Sequence, residues 1–282
     1  MLRAAMAYVP EQLLRSEMLR FGHLCYERGL LVGMDGNLSV RLGRGLVLCT
    51  QAGCHKGLLA DEHLVVVDMD GKKVRGRGEP TSEMAMHLEA YRAREDVQAV
   101  VHAHPPMAVA FTVAGLTLAR CALPEVVLTL GTVPTLSYET TGTDRLATAV
   151  GEAVARHDGV MMDHHGAVCV GATLLEAFCK LETIEHMATI MKAARDLGGI
   201  LDLQADESVR LRRMGLKRYG GPPDAVARAD EPLADLPPAC VECSGCGKPR
   251  KDGLAPRAGF SVARITAPEG MPTCGRDISK RA

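Results

Sequence analysis

The sequence predicts an α/β fold, on three observations. Runs with apolar residues at helical spacings of three and four alternate with short strands, and glycine-bearing turns separate them. At 282 residues, 47% hydrophobic and 24% charged, the chain can bury a substantial core. The last 62 residues, from Gly221, break this pattern, with nine of the 15 prolines and one aromatic residue, Phe260. The expected organisation is a folded domain over 1–220 and a low-structure Pro- and Cys-containing extension over 221–282.

The elements follow in order. From Glu11 to about Arg28, the residues Leu14, Met18, Phe21 and Cys25 fall on one helical face, and Gly29 ends the helix. Leu38, Val40 and Leu42 alternate with Ser39 and Arg41, the pattern of a half-buried strand, and Leu46–Cys49 and Leu64–Val67 read as further strands. Pro80, Thr81 and Ser82 open a helix carrying Met84, Leu88 and Tyr91, which places Glu83 in its first turn. A strand from Val97 to His104 follows. A helix begins after Thr143 and ends near His157; strands lie at Val160–Met162 and Ala167–Val170, joined by a bend at His164, His165 and Gly166. Thr173 and Glu176 have capping-box spacing before a long helix bearing Phe178, Leu181, Ile184, Ala188 and Met191.

A net charge of −1 provides no basic field for nucleic acid, and no run approaches a membrane span or a signal h-region, so a cytoplasmic protein acting on a small molecule is expected. Cys25, Cys121, Cys169 and Cys179 sit among apolar residues and are expected to stay reduced. Cys240, Cys243 and Cys246, with Cys274, have spacing that suits zinc or an iron–sulfur cluster; within Pro-rich flanks, an unmetallated tail is the expectation.

The chemistry concentrates between Pro80 and Pro106. Two residues apart on a strand, His102 and His104 point the same way with Cα atoms roughly 6.6 Å apart, close enough to share an ion. The plain alternative is two hydrogen-bonded core histidines. Zinc in catalytic sites commonly takes three protein ligands, and His165, before Gly166, or its neighbour His164 can supply the third. Glu83 can be a fourth ligand or an acid–base group. Thr81 and Ser82 at a helix start either cap it or hold a substrate phosphate; Asn37 after Gly36, and Gly53 in its polar loop, add donors.

Taken together, Gly36-Asn37-Leu38-Ser39, Thr50-x-x-Gly53, Pro80-Thr81-Ser82-Glu83, Val101-His102-Ala103-His104-Pro105 and His164-His165-Gly166 resemble the class II aldolase/adducin family. The resemblance is to its L-fuculose-1-phosphate aldolase branch and runs from about Glu11 to Tyr219. It implies a three-layer α/β/α fold around a mainly antiparallel central sheet, and a homotetramer with active sites between subunits. It also implies Zn2+, or another divalent metal, on His102, His104 and His165, with Glu83 beside the metal as acid–base residue. Gly36, Asn37, Gly53, Thr81 and Ser82 map onto the phosphate pocket, where Ala52 replaces a hydroxyl residue, and Tyr219 maps onto a proton-donating tyrosine. A second active-site tyrosine has no equivalent near Leu123–Val126.

The implied reaction is cleavage of a ketose 1-phosphate to dihydroxyacetone phosphate and an aldehyde. The resemblance also implies carbon–carbon cleavage rather than epimerisation, since position 83 is glutamate where the family's related epimerases usually carry aspartate. Epimerase, dehydratase or decarboxylase chemistry on the same site, or an adducin-like binding role, are the alternatives.

Overall fold

The computed structural model describes residues 9–229. The chain's first eight residues and the Cys240/Cys243/Cys246/Cys274 group lie outside the described residues, as does most of the expected extension.

Among the described residues, strands β1 (Asn37–Gly43), β2 (Leu46–Thr50), β3 (Leu64–Asp68), β4 (Lys73–Arg75), β5 (Ala99–Ala103), β6 (Thr135–Leu136), β7 (Gly159–Met162) and β8 (Gly166–Gly171) form one sheet. Its order is β4-β3-β2-β1-β5-β8-β7-β6. Every pairing is antiparallel except β6 with β7, as the mainly antiparallel expectation required.

Period-two alternation explains the layers. Leu38, Val40, Val101, Ala167 and Cys169 face one side, where they pack on α1 (Glu11–Glu27), α3 (Pro106–Val113), α4 (Pro124–Thr129) and α6 (Leu174–Asp196). Val47, Val65, Val100, Val168 and Val170 face the other, under α2 (Met84–Ala93) and α5 (Asp144–Val154). The result is helices on both faces of the sheet. Helix α7 (Ala205–Tyr219) packs on α4, and Arg212 donates to the Arg228 carbonyl at 2.9 Å, holding part of the 221–229 segment to α7.

Helix α1 ends where glycine permits a left-handed residue: Gly29 has φ 68°, and Leu30 N–H donates to Cys25 C=O at 2.9 Å. Helices α5 and α6 begin on Thr143 and Thr173, whose hydroxyls accept from Leu146 and Glu176 N–H.

Several expectations need correction. Strand β1 is not half-buried: α2 covers its polar side, so Ser39 is 0% exposed and Arg41 stacks over the Tyr91 ring. Glu83 is the residue before α2 rather than part of its first turn. Glu176 returns its carboxylate to Ala172 N–H, one residue earlier than a capping box, and gives its other oxygen to Lys180. Cys25, Cys121 and Cys169 are buried, but Cys179 lies on the outer face of α6 and is exposed. The periodicity reading also passed over α3, α4, α7 and the short strands β4 and β6. No helix among the described residues is long and apolar enough to cross a membrane.

Candidate metal centre and active site

The sheet centre builds the site. Near the end of β5, His102 is fully buried, and its Nδ1–H donates to Ala167 C=O on neighbouring β8 at 2.9 Å. That bond fixes the tautomer and leaves the Nε2 lone pair facing away from β8. His104 follows the strand, held by its N–H to Leu30 C=O at 3.0 Å. His165 arrives from the turn between β7 and β8, its N–H bonded to Met162 C=O. His164 adopts φ 55° and turns outward to Asp163. The geometry thus brings His165, and not His164, to the pair.

The three rings stand in near three-fold arrangement, with centroids 4.9, 4.8 and 5.0 Å apart and interplanar angles of 62°, 62° and 61°. His102 and His104 oppose their Nε2 atoms at 3.1 Å. Glu83 Oε2 lies 3.2 Å from His102 Nε2, and Oε1 lies 3.2 Å from His165 Nε2 without hydrogen-bond alignment. Two ligands at 2.0–2.1 Å on a tetrahedral zinc would stand about 3.3 Å apart, so this donor set fits a divalent cation. His165 Nδ1 and Glu83 Oε1 are also buried without hydrogen-bond partners.

Burial alone would raise the Glu83 pKa. The adjacent His102 and His165 rings and the Asn37 N–H donor, 2.8 Å from Oε2, outweigh it and hold the carboxyl well below the usual range. For His104, desolvation and then its histidine neighbours push the pKa down to about 4, leaving a neutral ring able to ligate.

The proposed cradle residues gather beside Glu83. Gln51 bridges Pro80, Ala52 N–H donates to Glu79 C=O and Thr81 N–H to Thr50 C=O, so the 50–53 loop lies along the approach to α2. Gly53 and Ser82 are exposed here, as is Ala52, while Thr81 is buried with its amide already used. Gly36 is sterically required: at φ 63°, a Cβ would stand 2.7 Å from His102 C=O. The Asn37 side chain is turned to Glu83, donating to Oε2 at 2.8 Å, rather than out to the cradle. Buried Lys56 ties two loops together, donating to Met34 and Cys54 carbonyls at 2.9 Å each. The structure does not bring Tyr219 to the histidines: it ends α7, 51% exposed, beside Arg218.

The family profile described as Class II Aldolase and Adducin N-terminal domain matches residues 16–191. The chain belongs to that family. Among curated members, the L-fuculose phosphate aldolase of Methanococcus vannielii is 37% identical over 174 residues, covering 62% of this chain and 93% of that protein. The 3-oxo-tetronate 4-phosphate decarboxylase of Escherichia coli K12 is 34% identical over 185 residues, covering 64% and 87%. The crystal structure of a putative aldolase/epimerase/decarboxylase from Escherichia coli superposes with a TM-score of 0.67 at 33% identity, over 72% of this chain and 99% of that one.

Sequence reading missed what stands behind Glu83 and the histidine cluster of this class II aldolase/adducin domain. Ser39 reads in the sequence only as the polar side of an alternating strand and as part of the family motif, and His87 draws no reading there. A signal existed: Ser39 shares a strand face with Asn37, and His87 shares a helix face with Glu83.

Proposed function

We propose that this protein is a zinc-dependent aldehyde-lyase that cleaves a ketose 1-phosphate to dihydroxyacetone phosphate and an aldehyde. The observation that carries this reading is the threefold histidine cluster with the ionised carboxylate of Glu83 directly against it. When bound on His102, His104 and His165, a divalent ion supplies Lewis acidity toward a carbonyl oxygen and its neighbouring hydroxyl.

The chain's own groups do the rest. Glu83, low in pKa and pinned by Asn37, is poised to take the proton that the C4 hydroxyl loses and to deliver it to C3 as the C3–C4 bond breaks. Gly53 and Ser82 at the exposed edge, with Gly36, Asn37 and Thr81 behind them, are assigned to the phosphate end of the substrate. With Ala52 in that loop, the hydroxyl donor of the family pocket is missing. Tyr219, remote from its own histidines and half exposed, fits a role as proton donor in the site of a neighbouring subunit of a homotetramer. Val32 and Met34, 70% and 66% exposed near His104, give such a neighbour an apolar surface to cover. A cytoplasmic location completes the reading.

A second reading, decarboxylation of a keto-acid phosphate, is favoured by the 34% identical decarboxylase and uses the same cluster. Parallel assays of the full-length protein on ketose 1-phosphates and on a 3-oxo-tetronate 4-phosphate separate the two. Release of dihydroxyacetone phosphate from a ketose 1-phosphate is expected. Carbon dioxide release from the acid, with no cleavage of any ketose, would replace the aldolase reading with the decarboxylase one.

A further inference from the structure

Behind Glu83 runs an unbroken line of buried polar groups. Asn37 Nδ2 lies 2.8 Å from Glu83 Oε2, and Asn37 Oδ1 lies 2.5 Å from His87 Nε2. On the other side of the ring, His87 Nδ1 is 2.6 Å from Ser39 Oγ, which is 2.8 Å from the Tyr91 hydroxyl. Asn37, Ser39, His87 and Tyr91 are 4%, 0%, 0% and 1% exposed, so bulk water does not compete for these bonds.

Chemistry gives the line a single direction. The Asn37 group facing Glu83 is its NH2, the donor of that bond, so its Oδ1 faces His87 and must accept from it. Burial pushes the His87 pKa down to about 3, and a neutral imidazole carries one N–H, here on Nε2. His87 Nδ1 therefore accepts from the Ser39 hydroxyl, whose oxygen accepts from Tyr91. Reversing any link flips the Asn37 amide and sets its carbonyl oxygen against the Glu83 carboxylate, in a place where an unmet polar pair is most unfavourable.

We propose that His87 is a positioning residue for Glu83: the Tyr91–Ser39–His87 relay fixes which end of the Asn37 amide meets the carboxylate, and so aims the acid–base group at the histidine cluster. This rests on the reading of Glu83 as the acid–base residue. Nothing in the relay touches substrate. Its tie to the strand and helix is geometric, since β1 supplies Asn37 and Ser39 on one face while α2 supplies His87 and Tyr91 one helical turn apart.

The test uses the full-length, zinc-loaded protein. His87→Leu removes the Nε2 donor; the expected loss in kcat is about 10–100-fold, with KM and bound zinc unchanged. His87→Gln returns an amide donor within reach of Asn37 Oδ1 and is expected to recover most of that loss. In a Glu83→Gln background, His87→Leu is expected to cost nothing further, because its effect passes through Glu83. Equal losses in both backgrounds, or a Gln variant as poor as Leu, would overturn the proposal.

A readout free of turnover keeps the inference separate from the proposed reaction. With ring-15N-labelled histidine, His87 is expected to be protonated on Nε2 and bare on Nδ1; a proton on Nδ1 breaks the relay. Absence of aldol cleavage in the wild type would sink the reaction, while the tautomer still decides the relay.

Discussion

Two clusters of charged and metal-ligating side chains among the described residues, one around Asp158 and one around Glu83, differ in one respect. In the first, Asp158 joins Arg94 and Lys180 at 2.5 and 2.8 Å, Lys180 also reaches Glu176 and the Val170 carbonyl, and Arg94 reaches Asp96. Each of these charges meets an opposite one, so the cluster is complete as it stands. In the second, three imidazole nitrogens and a carboxylate turn toward one shared point, and His165 Nδ1 and Glu83 Oε1 go without hydrogen bonds. Removing one member of a closed ion cluster strands its buried partners and destabilises the fold, whereas an open cluster of imidazoles and a carboxylate has the donor set that suits a cation.

Breaking the open cluster gives the largest effect. His102→Ala removes the ring whose tautomer β8 fixes. It is expected to abolish stoichiometric zinc by metal analysis and to lower turnover by about a thousandfold or more, while the melting temperature of the metal-free protein changes little, since the open cluster does not carry the core. Retained zinc in that variant would make the two clusters alike.

Breaking the closed cluster acts on stability instead. Lys180→Met leaves Asp158 and Glu176 short of a partner at a site where Lys180 is 7% exposed. A loss of about 3–5 kcal/mol in urea unfolding is expected, with zinc stoichiometry retained. Zinc loss without destabilisation would reverse the comparison.

How much of this division was legible in the sequence depends on the range of the interactions. The spacing of Met18, Phe21 and Cys25 and the His102-x-His104 pair are local patterns, and each survives into the structure. The first residue of α3 was not legible, because Glu185, distant in sequence, caps it by accepting from Met107 and Ala108 N–H. Ser39 looked like a solvent-facing residue because nothing local announces that α2 will cover β1. The choice between His164 and His165 needed the backbone: φ 55° at His164 rotates it outward, a conformation spacing does not encode. The closed cluster was wholly invisible, since Arg94, Asp158 and Lys180 come from three separate segments.

The smallest effect sharpens the same comparison through pH. Desolvation lowers the Lys180 pKa, but Asp158 and Glu176 more than reverse it and raise it above its ordinary 10.5. The unfolded chain therefore releases this proton first as pH rises, and the stabilisation, fully present below 10.5, fades as pH climbs through the folded value. The stability gap between wild type and Lys180→Met is expected to be flat up to that point and to narrow above it, by at most about 1.4 kcal/mol per pH unit. Buried thiols such as Cys25, pushed up to about 12, weaken both proteins alike and drop out of the difference. A gap that widens with pH would show that Lys180 is not held charged by its partners.

The most direct test of the open cluster is its dependence on the ion. Full-length protein is assayed for dihydroxyacetone phosphate release from a panel of ketose 1-phosphates as purified, after chelation, and after zinc is returned. Cleavage that is lost on chelation and restored by stoichiometric zinc is the predicted result. Undiminished cleavage by the chelated protein would contradict the assignment of His102, His104 and His165 as the metal centre of a lyase.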